Sequence, residues 1–187
     1  MDDPRRIRRR TALAMLAGWP LAAPARAADT GTAPERRQAE ALARAQFTDA
    51  TGAQHQLSEL TRPLLLINLW AAWCPGCLTE LPTISHLLSQ LGPDSIDVVL
   101  LSHYMNWHGD VAFARQNRLP FRHWRLSPQS ADATAASFRM EADRFGLPQS
   151  LVFTGRQRTL VHSALGSLDW SGPQQLRLAR AWLAAAR

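Results

Sequence analysis

Two shortages narrow what this 187-residue chain can do. It has only two cysteines, Cys74 and Cys77, and it has no lysine, so all 21 of its basic residues are arginines. A zinc site needs about four ligands, but the sequence contains neither a second cysteine pair nor a His-x-x-x-His motif that would supply the other two. A disulfide that spans three positions restrains the unfolded chain little, so a purely stabilising role explains the pair poorly. Redox chemistry is the better interpretation.

The chain also lacks a strong excess of positive charge outside its N-terminus. Six of the 21 arginines and two of the 15 acidic residues precede residue 28, which leaves 15 arginines against 13 acids in the remainder. The high isoelectric point therefore comes largely from the start of the chain. We expect no nucleic-acid partner.

The N-terminal apolar stretch, residues 11–21, is shorter than the roughly 20 residues of a membrane-spanning helix. It follows an arginine-rich start and precedes Ala25-Arg26-Ala27, which has the form of a cleavage site. We predict that residues 1–27 are a signal peptide cleaved after Ala27 and that the protein is periplasmic. Arg9-Arg10 resembles a twin-arginine signal, with general secretion as the alternative. An uncleaved membrane anchor also remains open.

The rest of the chain is predicted to form one domain. Residues 28–45 are polar and rich in alanine and predict a linker or a short helix, and residues 46–187 alternate strands with helices. Strands at 64–70 and 96–102 flank a helix at 74–91, which favours an α/β fold built from βαβ units. The later segments predict helices at 111–118, 131–145 and 173–185, a short strand at 121–125 and a hairpin of strands at 151–154 and 159–165.

The two cysteines lie where a buried strand meets a helix. Residues three apart in the first helical turn share a face, so Cys74 and Cys77 can form and break a disulfide without wider rearrangement. Unsatisfied N–H groups and the helix macrodipole favour the thiolate of Cys74. The pattern predicts that Cys74 attacks the substrate and that Cys77 resolves the mixed disulfide.

Residues 74–82 read Cys-Pro-Gly-Cys-Leu-Thr-Glu-Leu-Pro. This segment resembles the Cys-x-x-Cys-x-x-Glu-x-Pro signature of the TlpA/ResA-like thioredoxin-fold proteins of the bacterial cell envelope. Residues 47–60, 145–153 and 166–170 resemble the opening hairpin, the cis-proline segment and the ending of that family. The resemblance implies a thioredoxin fold with an N-terminal hairpin and a central αβ insertion.

The same resemblance implies a substrate-binding surface around the dithiol. It makes Pro148 the cis-proline that lies against the two cysteines and leaves neighbouring backbone groups free to pair with an extended substrate. We assign Leu147, Trp73, Pro75 and Gly76 to this surface as well. Trp70 is expected in the core.

Glu80 is the third candidate catalytic residue. It follows Cys77 by three positions, so its carboxylate returns to the face of the buried sulfur, where a raised pKa would let it take or hold a proton. Asn68, at the position of the buried aspartate of plain thioredoxins, cannot titrate. On spacing alone, a solvated glutamate in the first helical turn is an equal alternative. The family resemblance favours the functional interpretation.

The sequence thus predicts an envelope thiol–disulfide oxidoreductase that reduces partner disulfides, with apocytochrome c or a copper-centre assembly factor as examples of its substrates. A membrane thiol transporter would supply its electrons, and we expect a monomer with no cofactor and no resident metal. A dithiol oxidase is one alternative. A Cu(I) metallochaperone is the other, since His103, Met105 and His108 are of types that suit copper.

Overall fold

The computed structural model describes residues 40–102, 106–127 and 146–186. Within these residues the chain forms one seven-stranded sheet in the order β2-β1-β5-β4-β3-β6-β7. The strands are β1 Phe47–Asp49, β2 Gln54–His55, β3 Leu64–Trp70, β4 Ile96–Ser102, β5 Arg122–Leu126, β6 Gln149–Thr154 and β7 Thr159–Leu165. The helices are α1 Pro75–Leu91, α2 Trp107–Gln116 and α3 Pro173–Ala185.

The central strand β3 is buried along its whole length because both faces of the sheet are covered. It pairs in parallel with β4, from Leu64 opposite Ile96 to Trp70 opposite Ser102, and antiparallel with β6. Its side chains alternate between two apolar clusters, with Leu66 in one and Ile67 in the other. This two-sided burial explains why the strand is an unbroken apolar run.

Helix α1 begins directly after the end of β3. Cys74 is its N-cap and Pro75 its first residue, a position where the fixed φ of proline suits the helix and its missing N–H costs nothing. The helix contains Pro82 and ends before Gly92, whose φ of 83° is one that glycine adopts readily. The sheet and this helix thereby fix the position of both cysteines.

The N-terminal hairpin extends the sheet beyond its core strands. β1 pairs with β2 and, on its other side, antiparallel with β5, whose Leu126 faces Phe47. β5 also runs parallel to β4, so α2 and β5 form a crossover unit that links the hairpin to the sheet. The predicted thioredoxin fold with an opening hairpin and a central αβ insertion is confirmed.

Several predicted element bounds differ from the structure. α2 begins at Trp107, four residues earlier than predicted; Trp107 is buried, and the weak helix formers His108 and Gly109 that follow it gave no sign of a helix in the sequence. The predicted helix at 131–145 lies outside the described residues. The strand at 96–102 and the closing helix have the predicted bounds.

The segment before the hairpin contributes to the core. Residues 40–44 are helical, and Leu42 and Ala45 pack in the same apolar cluster as Phe47. This end of the predicted linker or short helix therefore contributes two buried side chains to the core, which its polar composition did not indicate. In the described part of the chain, no helix is long and apolar enough to cross a membrane.

Candidate active site

The dithiol lies at the junction of β3 and α1. Cys74 and Cys77 are joined by a disulfide, with their Cα atoms 5.3 Å apart. The Cys77 backbone N–H donates to the Cys74 Sγ at 3.1 Å, as the helix-start argument requires. Cys77 is fully buried, whereas Cys74 keeps 4% of its surface exposed. Of the two cysteines, Cys74 is therefore the one with surface accessible to an incoming disulfide.

Two tryptophans near the dithiol have different environments. Trp73, directly before Cys74, is 54% exposed, whereas Trp70 at the end of β3 is fully buried and contacts the Phe113 ring of α2. Trp70 is thus part of the core, as predicted. An exposed indole beside a reactive cysteine offers an apolar surface to a partner protein.

Pro148 packs against the loop between the two cysteines. The Leu147–Pro148 peptide bond is cis, as the resemblance implies. A Cβ on Gly76 would lie 3.4 Å from the Cδ of Pro148, so the ring of Pro148 rests on the backbone of Gly76. The structure therefore brings Pro148 to the dithiol from the start of β6, and half-buried Leu147 precedes it.

Glu80 is buried beneath the dithiol, with 1% of its surface exposed. Its carboxylate accepts hydrogen bonds from Trp170 Nε1 at 2.6 Å, from Asn68 Nδ2 at 3.2 Å and from Ser150 Oγ at 3.4 Å. Burial raises the pKa of Glu80, and the bonds from Trp170 and Asn68 oppose that rise. The alternative of a solvated surface glutamate is wrong.

The arrangement gives Glu80 the properties of a proton acceptor. It lies one turn after Cys77 on the same helix face, and its pKa is displaced upward from the ordinary range of a glutamate. A carboxyl of this kind can take the proton of the buried thiol when Cys77 attacks a mixed disulfide. Asn68 serves Glu80 as a donor and also donates to Ser150 Oγ at 2.9 Å.

Sequence reasoning missed two partners of Glu80. Trp170 belongs to the segment after β7 and Ser150 to β6, 90 and 70 residues away from Glu80. A buried carboxylate requires hydrogen-bond donors, but the sequence around Glu80 does not indicate which distant residues supply them. Both residues lie in segments that resemble the family, 145–153 and 166–170, but no local pattern links either segment to Glu80.

The copper-binding alternative stays a prediction. His103 and Met105 lie outside the described residues, and His108 is exposed on α2. The described ranges contain no group of three or more histidine, cysteine, aspartate or glutamate side chains that could hold a metal ion.

Comparison with known proteins agrees with this fold. The model of the AhpC/TSA family matches residues 38–154, which include the dithiol, Glu80 and Pro148. A Chlorobium tepidum protein named as the thiol:disulfide interchange protein DsbE is similar at 20% identity and a TM-score of 0.56, over 76% of this chain and 92% of that one. The thioredoxin domain of a Bacteroides vulgatus thiol-disulfide oxidoreductase is similar at 14% identity and a TM-score of 0.60, over 76% and 95%.

At these identities the structural likeness shows the thioredoxin fold, while the family match extends over more than half of the chain. Together with the disulfide at the start of α1, they confirm the interpretation of Cys74 and Cys77 as a redox centre. The chain belongs to the AhpC/TSA family and is a thioredoxin-fold thiol–disulfide oxidoreductase.

Proposed function

We propose that this protein is an exported reductant that reduces disulfides in partner proteins of the bacterial cell envelope. The observation that carries the proposal is the asymmetry of the dithiol. Cys74 lies at the helix start, and the Cys77 N–H donates to its sulfur. Cys77 is buried and precedes the buried Glu80 by one turn of α1. The outer sulfur is set up to attack, and the inner one to release the product.

The reaction consists of two thiol–disulfide exchanges. The Cys74 thiolate attacks one sulfur of the partner disulfide, forms a mixed disulfide and expels the other partner sulfur as a thiolate. Cys77 then loses its proton to Glu80 and attacks Cys74 Sγ, which forms the Cys74–Cys77 disulfide and expels the second partner sulfur as a thiolate. The partner gains two electrons, and this protein is oxidised by the same two.

The residues between the sulfurs favour reduction over oxidation. Pro75 and Gly76 carry no positive charge, so nothing between the cysteines stabilises the thiolate as a histidine there would. A less stabilised dithiol gives a lower reduction potential. A reductant in an oxidising compartment needs an electron source, for which we propose a membrane thiol transporter.

The partner class follows from the proposed location and from the surface around Cys74. Export by the leader at residues 1–27 would place the protein beside apocytochrome c and copper-centre assembly factors, whose cysteines must be reduced before they bind haem or copper. Exposed Trp73, together with Leu147 and Pro148, forms the surface that an extended, cysteine-bearing segment would contact.

The decisive experiment traps the partner. A Cys77→Ser variant expressed in the native cells should accumulate mixed disulfides through Cys74, and mass spectrometry then identifies the captured proteins. Cys74→Ser is the matched control and should capture nothing. Capture of envelope proteins with haem-binding or copper-binding cysteines is the expected result, and equal capture by both variants would contradict the proposal.

An anaerobic titration of the reduced protein with Cu(I) tests the metallochaperone alternative. We expect no tight stoichiometric complex that depends on both cysteines. Tight binding that is lost in Cys74→Ser would favour copper transport over disulfide reduction.

A further inference from the structure

The turn that joins β3 to α1 presents the reactive cysteine. The Cys74 N–H donates to the Ala71 carbonyl oxygen at 3.1 Å, which closes a four-residue turn with Ala72 and Trp73 at its centre. The N–H of Ala72 takes no part in that bond. A buried group from another element uses it instead.

That group is the carboxyl of Asp110 in the first turn of α2. Its Oδ1 accepts the Ala72 N–H at 2.7 Å and the side-chain Nδ2 of Asn106 at 3.2 Å. Asp110 is fully buried, and its Oδ2 has no hydrogen-bond partner among the described residues. The bond to Ala72 connects two elements that are 38 residues apart in the chain.

Structural stability alone explains this carboxyl poorly. The buried Asp97 is compensated by Arg62 at 2.6 Å, whereas the groups that lower the pKa of Asp110 are neutral: the Ala72 backbone, Ser102 and Asn106. Burial outweighs them and raises the pKa of Asp110. A buried carboxyl that has no cationic partner among the described residues is costly to keep, so its role at the turn requires an explanation.

We propose that Asp110 is a positioning residue for the dithiol, because its carboxyl holds the Ala71–Cys74 turn in the form that keeps Cys74 Sγ at the start of α1. When the turn is held, the Cys77 N–H reaches the sulfur and the helix start favours its thiolate. When it is released, both effects weaken and Cys74 becomes a poorer nucleophile at neutral pH. The inference deepens the proposed redox function and rests on it for its biological purpose.

Comparison of Asp110→Asn with Asp110→Ala separates the loss of the hydrogen-bond acceptor from the loss of the negative charge. Asparagine keeps an oxygen for the Ala72 N–H, whereas alanine removes it. In the reduced full chain, Asp110→Ala should slow Cys74 alkylation at pH 7 by about tenfold, because the released turn no longer holds the sulfur where the Cys77 N–H and the helix start favour its thiolate. Asp110→Asn should stay within about twofold of the wild type.

Ala72→Pro tests the same bond from the donor side. Proline is well suited to the second position of a turn and has no N–H, so this variant leaves Asp110 in place but removes its partner. Ala72→Pro should give the same pH profile of Cys74 alkylation as Asp110→Ala. The double variant should slow alkylation little more than either single variant does, because both remove the same hydrogen bond. Because Ala72→Pro changes no buried charge, it keeps the test open if Asp110→Ala fails to fold.

Asp97→Asn is the matched control. Asp97 is a similarly buried aspartate on β4, five residues and about 17 Å from the Ser102 end of that strand. It should change stability but neither the pH profile of Cys74 alkylation nor the midpoint potential against glutathione.

The proposal is wrong if Asp110→Ala and Ala72→Pro leave the pH profile of Cys74 alkylation unchanged. It is also wrong if Asp97→Asn shifts that profile as much as these two variants do. The readouts use purified protein and need no partner. A failure to trap envelope substrates would therefore disprove the proposed function without affecting the assignment of Asp110.

Discussion

At the residue scale, the two sulfurs differ in what surrounds them. Cys74 accepts a backbone N–H at the start of a helix, whereas Cys77 has no exposed surface and lies one turn further on. The first environment stabilises a thiolate and the second protects a thiol from solvent. This difference assigns the two steps of the exchange to different residues.

We predict that Cys74 is alkylated first. In the reduced, folded protein at neutral pH, a small thiol reagent should label Cys74 at least about tenfold faster than Cys77, because Cys74 keeps some accessible surface and lies at the helix start, where a thiolate is favoured. Peptide mapping by mass spectrometry at short reaction times gives the order of labelling. Faster labelling of Cys77 would reverse the assigned roles.

The Glu80→Gln variant should fold, because its site can accommodate an amide. The introduced glutamine keeps an oxygen that accepts the hydrogen bond from Trp170 Nε1. The Oδ1 of Asn68 has no partner among the described residues, so after a flip of the Asn68 side chain it can accept a hydrogen bond from the new amide group. The resolving step should nevertheless slow by at least about tenfold at neutral pH, since the proton acceptor is gone. Stopped-flow measurement of mixed-disulfide release checks this, with the exposed Glu40→Gln as control.

Glu80 also affects stability with a defined sign. Its folded-state pKa is raised, so the native state holds the proton more tightly than the unfolded state does. The wild type should therefore lose stability as pH rises from about 4.3 through the folded-state pKa, and Glu80→Gln should not show this loss. Urea unfolding at pH 4.5 and pH 7.5 measures it, and a parallel pH response in both proteins would contradict the burial argument.

At the element scale, two distant segments are held to α1 or to the sheet by polar contacts. The segment after β7 is held to α1 because the Thr83 hydroxyl donates to the Leu168 carbonyl and accepts the Trp170 N–H at 3.1 Å. The hairpin is held by His55, which contacts Asp49 at 3.1 Å and Glu59 at 3.0 Å. The His55 ring also stacks on Trp124 of β5, with centroids 4.8 Å apart.

The His55 contacts predict a pH-dependent hairpin. The bond to Glu59, followed by that to Asp49, raises the pKa of His55, while the pKa values of both carboxyls are lowered. The histidine's contribution is therefore full below its unfolded pKa of about 6.5 and is lost as pH rises through the folded value. The carboxyls lose theirs as pH falls through their own lowered values.

His55→Gln should remove this response. The stability difference between wild type and variant should be largest near pH 5 to 6 and should shrink by pH 8, within about 1 kcal/mol because the groups are partly exposed. Thermal unfolding across that range measures the difference, with His86→Gln at an exposed position of α1 as the control. A difference that is constant with pH would mean that His55 acts through ring stacking alone.

At the scale of the whole molecule, local patterns predicted more than long-range partners. The apolar runs of β3 and β4 and the proline and cysteine signals of α1 are local, so their positions could be read from the sequence. Two donors to Glu80, Ser150 and Trp170, and the contact between Asp110 and Ala72 depend on elements 38 to 90 residues apart. No periodicity encodes such pairs, because a buried polar group takes whichever donor the packed fold brings to it.

The direction of electron flow is a property of the whole molecule, because it is the difference in free energy between the oxidised and the reduced fold. Pro75 and Gly76 between the sulfurs are uncharged, so the reduced form gains no thiolate stabilisation from a positive charge there in addition to that of the helix start. We therefore predict a midpoint potential nearer the thioredoxin value of about −270 mV than the DsbA value of about −120 mV. Equilibration with glutathione, followed by alkylation and mass analysis, gives the value. A midpoint near the oxidising end, together with a Cys74–Cys77 disulfide that predominates in growing cells, would make the protein a dithiol oxidase, since a donor of electrons must be held reduced where it works.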